Sequence, residues 1–305
     1  MRRVHLEASV TLLLFATAVQ AGGEGASQRR AQPPQWSTAE VDVFFEDARK
    51  QLVGARPVSS SGTPLASDSQ ATPAAGERAA WSARIGAESL ASEVKQAVNR
   101  LAAEIAKPGQ FNSGGYLQCR RDFSLLAVLL RVVEEYDGEV RWQRDAAVVR
   151  GQLELAAILC ESPGEESYAI AKKSHALMSD LLRGQPLQEG PPGEHQQVDR
   201  AQLMQRLEAS VEETISPSLA NKSVFRRYTE EVGHESQVLA VLAKVILDEG
   251  YDYADDQEFV NFAHKLSEAS VALAQAAQRK DYESARAAAG RMTQSCSQCH
   301  ESYRG

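Results

Sequence analysis

The sequence predicts an all-α protein: two tandem four-helix bundles preceded by a signal peptide, a short helix and a flexible linker. Three observations lead there. From Trp81 onward, apolar residues recur at alternating spacings of three and four, the period of a helix with one inward face. Gly-, Pro- and Ser-bearing breaks cut that pattern into eight segments. The segments also repeat: "LLAVLLRVVEE" at 125–135 matches "VLAVLAKVILD" at 238–248, a shift of 113. The expected divisions are 1–21 signal peptide, 22–80 short helix and disordered linker, 81–185 first bundle and 198–305 second bundle.

The first residues read as an export signal. Arg2 and Arg3 lead into the apolar stretch Val10–Val19, and Val19-Gln20-Ala21 puts small residues at a cleavage point. The stretch is too short for a stable membrane span. Next, Ser37 or Thr38 caps a short helix whose apolar side is Val41, Phe44, Phe45, Ala48 and Leu52. Gly54 and Pro57 stop it, and the Ser/Ala/Pro/Thr/Gly run at 58–78 reads as a flexible tether.

The helices of the first bundle are expected near 83–106, 116–135, 141–160 and 166–183. Those of the second are expected near 198–215, 222–248, 255–278 and 281–303. Pro108 ends the first helix and Ser216-Pro217 the fifth, since the residue before proline disfavours the helical region. Gly250 suits a left-handed cap after the sixth. Asp255 and Asp281 precede the last two helices as acceptors for free amide hydrogens. The repeat extends beyond the apolar run. Shifted by 113, Ile85 pairs with Val198, Leu90 with Leu203, Val94 with Leu207 and Val98 with Val211. Shifted by 114, Tyr168 pairs with Tyr282. One bundle duplicated in tandem explains the pattern.

A net charge of −8 argues against nucleic acid as a partner. No nucleophile–base arrangement or phosphate-binding loop is visible, so the reading is of a non-enzyme. Two of the four cysteines, Cys119 and Cys160, lie almost symmetrically about the turn at 136–140. An antiparallel helix pair puts them at one level, suited to a disulfide in an exported protein. The other reading is two buried free thiols.

The chain closes with "QSCSQCHESYRG". The spacing Cys-x-x-Cys-His is that of covalent c-type haem attachment. Positions three apart share one side of a helix, so Cys296 and Cys299 reach the same edge of a porphyrin. His300 follows at once to ligate the iron. A redox dithiol, half of a zinc site and a chance string are the alternatives. Zinc lacks a second ligand pair nearby in sequence. A redox Cys-x-x-Cys normally sits at a helix start, whereas this one lies near a helix end. At the 114 shift the first bundle has Leu182, Gln185 and Pro186 in place of the thiols and the imidazole, so it attaches no haem. His175, His234 and His264 read as solvated or hydrogen-bonded histidines.

The second bundle resembles the cytochrome c′ family, including its low-spin relatives of the c-556 type. Those proteins are four-helix bundles with the haem motif at the end of the last helix. Their ending, in which two residues, an aromatic and a basic residue follow the motif, is matched by "CSQCHESYR". The resemblance implies one covalent haem c, thioether bonds from Cys296 and Cys299, axial ligation by His300, and Arg304 near the proximal face. It also implies that the distal residue comes from 199–207. Met204 is the candidate sixth ligand; otherwise Leu203 or Leu207 caps the iron and leaves it open to uncharged gases. The expected function is electron transfer, or NO or CO binding, in a soluble periplasmic or otherwise exported protein. The partner would be a redox protein or a diatomic gas. A dithiol–disulfide redox protein and a haem-sensor adaptor are the other readings. Family members often pair through their first two helices, so the tandem could mimic such a pair within one chain, or the chain could form a homodimer.

Overall fold

Helix α1 (Ala87–Glu104) turns Leu90, Val94, Ala97, Val98 and Leu101 inward, the alternating spacing of a single buried stripe. In this computed structural model, which describes residues 80–187 and 196–304, every regular element among the described residues is helical. The expected signal peptide, the short N-terminal helix and its linker lie outside the described residues. All of the described residues fall within one compact unit, 70–305.

A short turn, Trp81–Ala83, leads into α1 and ties it to the end of α2 (Tyr116–Glu134). Trp81 Nε1 donates to Glu135 at 3.2 Å, the Ser82 amide to Asp137 at 2.8 Å, and the buried Tyr136 hydroxyl to the Ile85 carbonyl at 2.9 Å. Helix α3 (Ala146–Leu159) starts later than the expected 141. Trp142 adopts a left-handed conformation (φ 67°), which keeps the segment before it out of the helix. Helix α4 (Glu165–Arg183) ends at Gly184 in the left-handed region (φ 68°). The amides of Gly184 and Gln185 return to the carbonyls of Leu181 and Asp180 in a Schellman closure.

Helix α5 (Arg200–Ala209) is capped by Asp199, whose carboxylate accepts the Ala201 amide at 2.9 Å. The chain then widens into a π turn, Ser210–Ile215, and continues helically through Ser216–Ser218. The expected stop at Ser216-Pro217 is therefore displaced. Ser216 stays helical (φ −61°, ψ −47°) and the proline sits in the first turn of the next segment, where its missing amide hydrogen costs little. A short α6 (Lys222–Arg227), capped by Asn221, is separated from α7 (Thr229–Val245) by non-helical Tyr228. Gly250 is left-handed (φ 102°). Asp256, rather than Asp255, caps α8 (Gln257–Gln278), accepting from the amides of Glu258 and Phe259. Asp281 caps α9 (Tyr282–Tyr303).

Helices α1 to α4 pack on one another, as do α5 and α7 to α9. Two details recur in both groups, 114 residues apart. Tyr168 donates its hydroxyl to the Ile105 carbonyl at 3.0 Å, and Tyr282 to the Leu219 carbonyl at 3.1 Å. Phe111 packs on Tyr168 with ring centroids 5.3 Å apart, and Phe225 on Tyr282 at 5.7 Å.

The groups meet through α1 against α7 and α2 against α5. This explains the unbroken apolar runs Leu125–Leu130 and Val238–Ala243 within the repeated segments. Residues Phe123–Leu130 of α2 and Val238–Ala243 of α7 are buried throughout, because each helix has its own bundle on one side and the neighbouring one on the other. Polar links rim the contact. The Gly86 amide donates to Gln237 at 2.8 Å, Arg120 pairs with Asp199 at 3.2 Å and Arg131 with Asp248. The Lys244 ammonium lies 5.8 Å from the centre of the Trp81 ring.

Candidate functional site

Helix α9 delivers the motif because its inward stripe continues to its end. Ala285, Ala288, Met292 and Ser295 are buried against α8, and the Ser295 hydroxyl donates to the Phe262 carbonyl at 2.8 Å. Cys296, Cys299 and Tyr303 follow on that stripe, half-buried. A cavity of about 700 Å³ opens beside them, bounded by α5, α7, α8 and α9. That size is in the range of sites for small organic ligands and cofactors. Cys296, Cys299, His300 and Arg304 line it from α9 and its end. Met204, Leu207 and Val211 line the facing wall, and Phe259, Ala263 and Leu266 line the floor. Leu203 is fully buried and is not part of the lining.

An aromatic cluster closes one end. Tyr303 stacks edge-on against Tyr253, Phe259 and Phe262, with centroids 5.1, 5.4 and 6.5 Å away. The Arg200 guanidinium lies over Tyr253 at 5.5 Å and Phe259 at 5.4 Å. Tyr253 is left-handed (φ 64°), a conformation disfavoured for a bulky side chain and held here by these ring contacts. Burial and a hydrogen bond to Asp256 push the Tyr303 phenol up to about 12, so it remains a donor. This cluster was missed at the level of sequence. The "DEGYDYADD" run at 248–256 reads as a solvated turn, and only Tyr251 and Tyr253 within it hint otherwise.

Both thiols are held in the neutral form. Burial raises the Cys296 thiol, and the nearby Cys299 adds to this. Burial also raises Cys299, with Arg200 pulling the other way. Both therefore stay protonated at neutral pH, near the carbonyl end of a helix, where a thiolate is disfavoured. His300 is solvent-exposed and is among the residues lining the cavity.

Residues 251–304 match the family model for Cytochrome C'. The cytochrome c′ match takes in Tyr253 and its neighbours, all of α8, and α9 to Arg304. It supports a haem-binding cytochrome. No curated protein and no solved structure matches the chain. The cytochrome c′ segment holds both thiols and the imidazole. Met204 and Leu207, on α5, lie outside it.

The counterpart end of α4 differs. Leu182 packs against the core, but the helix stops at Arg183, leaving Gln185 and Pro186 exposed beyond it. Cys119 and Cys160 are fully buried, and in the structure both are free thiols. Burial pushes the Cys160 thiol up to about 12 and Cys119 higher still, the latter assisted by the charge of Cys160. His264 is exposed. His234 is half-buried and bonded to Glu93 at 2.9 Å.

Proposed function

We propose that the chain is an exported c-type cytochrome carrying one covalently attached haem on α9, and that it transfers single electrons or binds NO or CO. The observation that carries this reading is the cavity itself. It brings two protonated thiols three residues apart, an adjacent imidazole and an apolar facing wall around one space. Cys296 and Cys299 would hold the haem through its two vinyl groups, each sulfur bonding one carbon and the thiol hydrogen passing to its neighbour, so that no oxidant would be consumed. His300 would supply a nitrogen ligand to the iron. Bound there, the haem supplies a one-electron couple and a sixth coordination position.

This chain's residues then set the surroundings. Phe259, Leu266 and Val211 exclude water and lower the local dielectric, which favours the less charged iron state. Met204, which lines the cavity, would hold the iron from α5 in an electron carrier. Leu207 is the cap in a five-coordinate gas binder. Helices α1 to α4 are a haem-free copy, and their pairing with α5 and α7 holds within one chain the contact that two separate bundles would otherwise make. Among the described residues no helix is long and apolar enough to cross a membrane.

The test is a denaturing gel stained for haem peroxidase activity, followed by the reduced spectrum with and without CO. A stained band is expected. Spectral change on CO addition at once favours the open iron, and slow change favours bound Met204. An unstained band from a correctly matured preparation overturns the reading.

We also propose that export oxidises Cys119 and Cys160. The two thiols pass two electrons and two protons to an external protein disulfide, and one S–S bond forms between α2 and α3. The oxidised chain weighs two hydrogens less than the reduced one. An intact mass unchanged by reductant overturns the bond.

A further inference from the structure

Glu93 lies in the middle of α1, an acid with 0% of its surface exposed. Two of its partners are on the other group of helices. Arg206 of α5 donates to Oε1 at 3.1 Å, and His234 of α7 donates to Oε2 at 2.9 Å. Arg100 of α1 also donates to Oε1, at 3.2 Å, and pairs with buried Asp122 at 2.8 Å. Arg206 is held in turn by Glu235 at 2.8 and 3.1 Å. Glu93, His234 and Glu235 offer ligand atoms within 4.8 Å of one another. The two guanidinium groups already neutralise these acids, so the cluster is an ionic lock rather than a cation site.

Arg206 stands two residues after Met204 and one before Leu207. Helix α5 is thus used on two faces, one lining the haem cavity and one fastened to α1 and α7. It is only 10 residues long, too short to be stable by itself, and it runs into a π turn. On the fastened face the Arg206 guanidinium bridges buried Glu93 of α1 and Glu235 of α7, charge-assisted bonds that fix where the helix lies.

We infer that Glu93, on the haem-free half, is a positioning residue for α5: through Arg206 it holds the helix that carries Met204 and Leu207 over the cavity, and so governs access to the distal side of the iron. The distal half of this statement rests on the function proposed above; the positioning half does not.

The test compares the full chain with Glu93→Gln, Glu93→Asp and Arg100→Gln. Hydrogen exchange is followed by mass spectrometry, and CO association by flow mixing with the reduced holoprotein. Glu93→Gln is expected to raise exchange over residues 200–209 by about tenfold or more, with α4 unchanged. CO association should rise several-fold. Glu93→Asp, which keeps the charge, should give a smaller rise. Arg100→Gln removes the other guanidinium on Glu93 without touching α5; it also takes the partner from buried Asp122, so exchange should rise in α1 and α2, while residues 200–209 and CO association should respond clearly less than in Glu93→Gln.

Unchanged exchange in Glu93→Gln overturns the inference, as does an equal response to Arg100→Gln. If Glu93→Gln does not accumulate, Arg206→Lys replaces it, and the same rise confined to α5 is required. Haem staining is read first. A parent chain without haem overturns the proposed function, while the exchange pattern still decides the positioning role. Flat CO rates in stained protein overturn the distal role alone.

Discussion

At the scale of single residues, Glu93 gives the clearest prediction. Burial drives its carboxyl up, but the hydrogen bond from His234 and the charges of Arg206 and Arg100 prevail and hold it at about 2, against an ordinary 4.5. A carboxyl depressed in the folded state contributes stability that is fully present above its unfolded value and is lost as pH falls through the folded one. The loss should therefore run from about pH 4.5 down to 2, amounting to about 3 kcal/mol. Denaturant titrations across that window check it: the parent should weaken and Glu93→Gln should show a flatter profile. At the other end of the chain, His300→Ala should keep covalent haem, since both thiols remain, but lose the axial nitrogen. An altered reduced spectrum with undiminished haem stain is the expected result.

These two sites differ in how legible they were. Cys296, Cys299 and His300 stood out in the sequence because they recur within little more than one helical turn, and the structure brings all three to one cavity. The lock around Glu93 did not stand out. A glutamate in mid-helix reads as solvated, and only the shift of 113, which sets Glu93 opposite Arg206 in the repeat, carried a trace of it.

At the scale of elements, the repeated tyrosine contacts set up a paired test. Tyr168→Phe and Tyr282→Phe each remove one hydrogen bond to a carbonyl in the same place in the fold. Each should cost about 1 kcal/mol in chemical denaturation. Unequal losses of several-fold would contradict the equivalence. Asp281→Ala should cost a similar amount, about 1 kcal/mol, by freeing the Ser284 amide at the start of α9. Helix existence was legible from apolar spacing, while several ends were not. The start of α3 moved because Trp142 is left-handed, and the break at Tyr228 left no Gly or Pro to mark it. Pro217 failed to stop the fifth helix because the preceding π turn takes up the change in register. In each case a tertiary contact or a locally unusual backbone decided the boundary, and neither is visible in composition.

At the scale of the whole molecule, α2 and α7 are buried from both sides, so neither half can unfold without exposing the other's apolar surface. Trp81 and Trp142, in the first half, should lose their fluorescence in the same thermal transition that changes haem absorption in the second. Two separated transitions would contradict this. The paired architecture was partly legible, since the repeat at a shift of 113 marks two equivalent bundles within one chain. What was not legible was which helices meet, because that depends on charge pairs such as Arg131 with Asp248, more than a hundred residues apart. The central claim is the haem on α9, and the most direct measurement is the intact mass of the matured, exported chain. The account predicts the mass of the polypeptide without its leader plus one haem, retained after denaturation and lost in Cys296→Ala/Cys299→Ala. A mature chain carrying no added mass would contradict it.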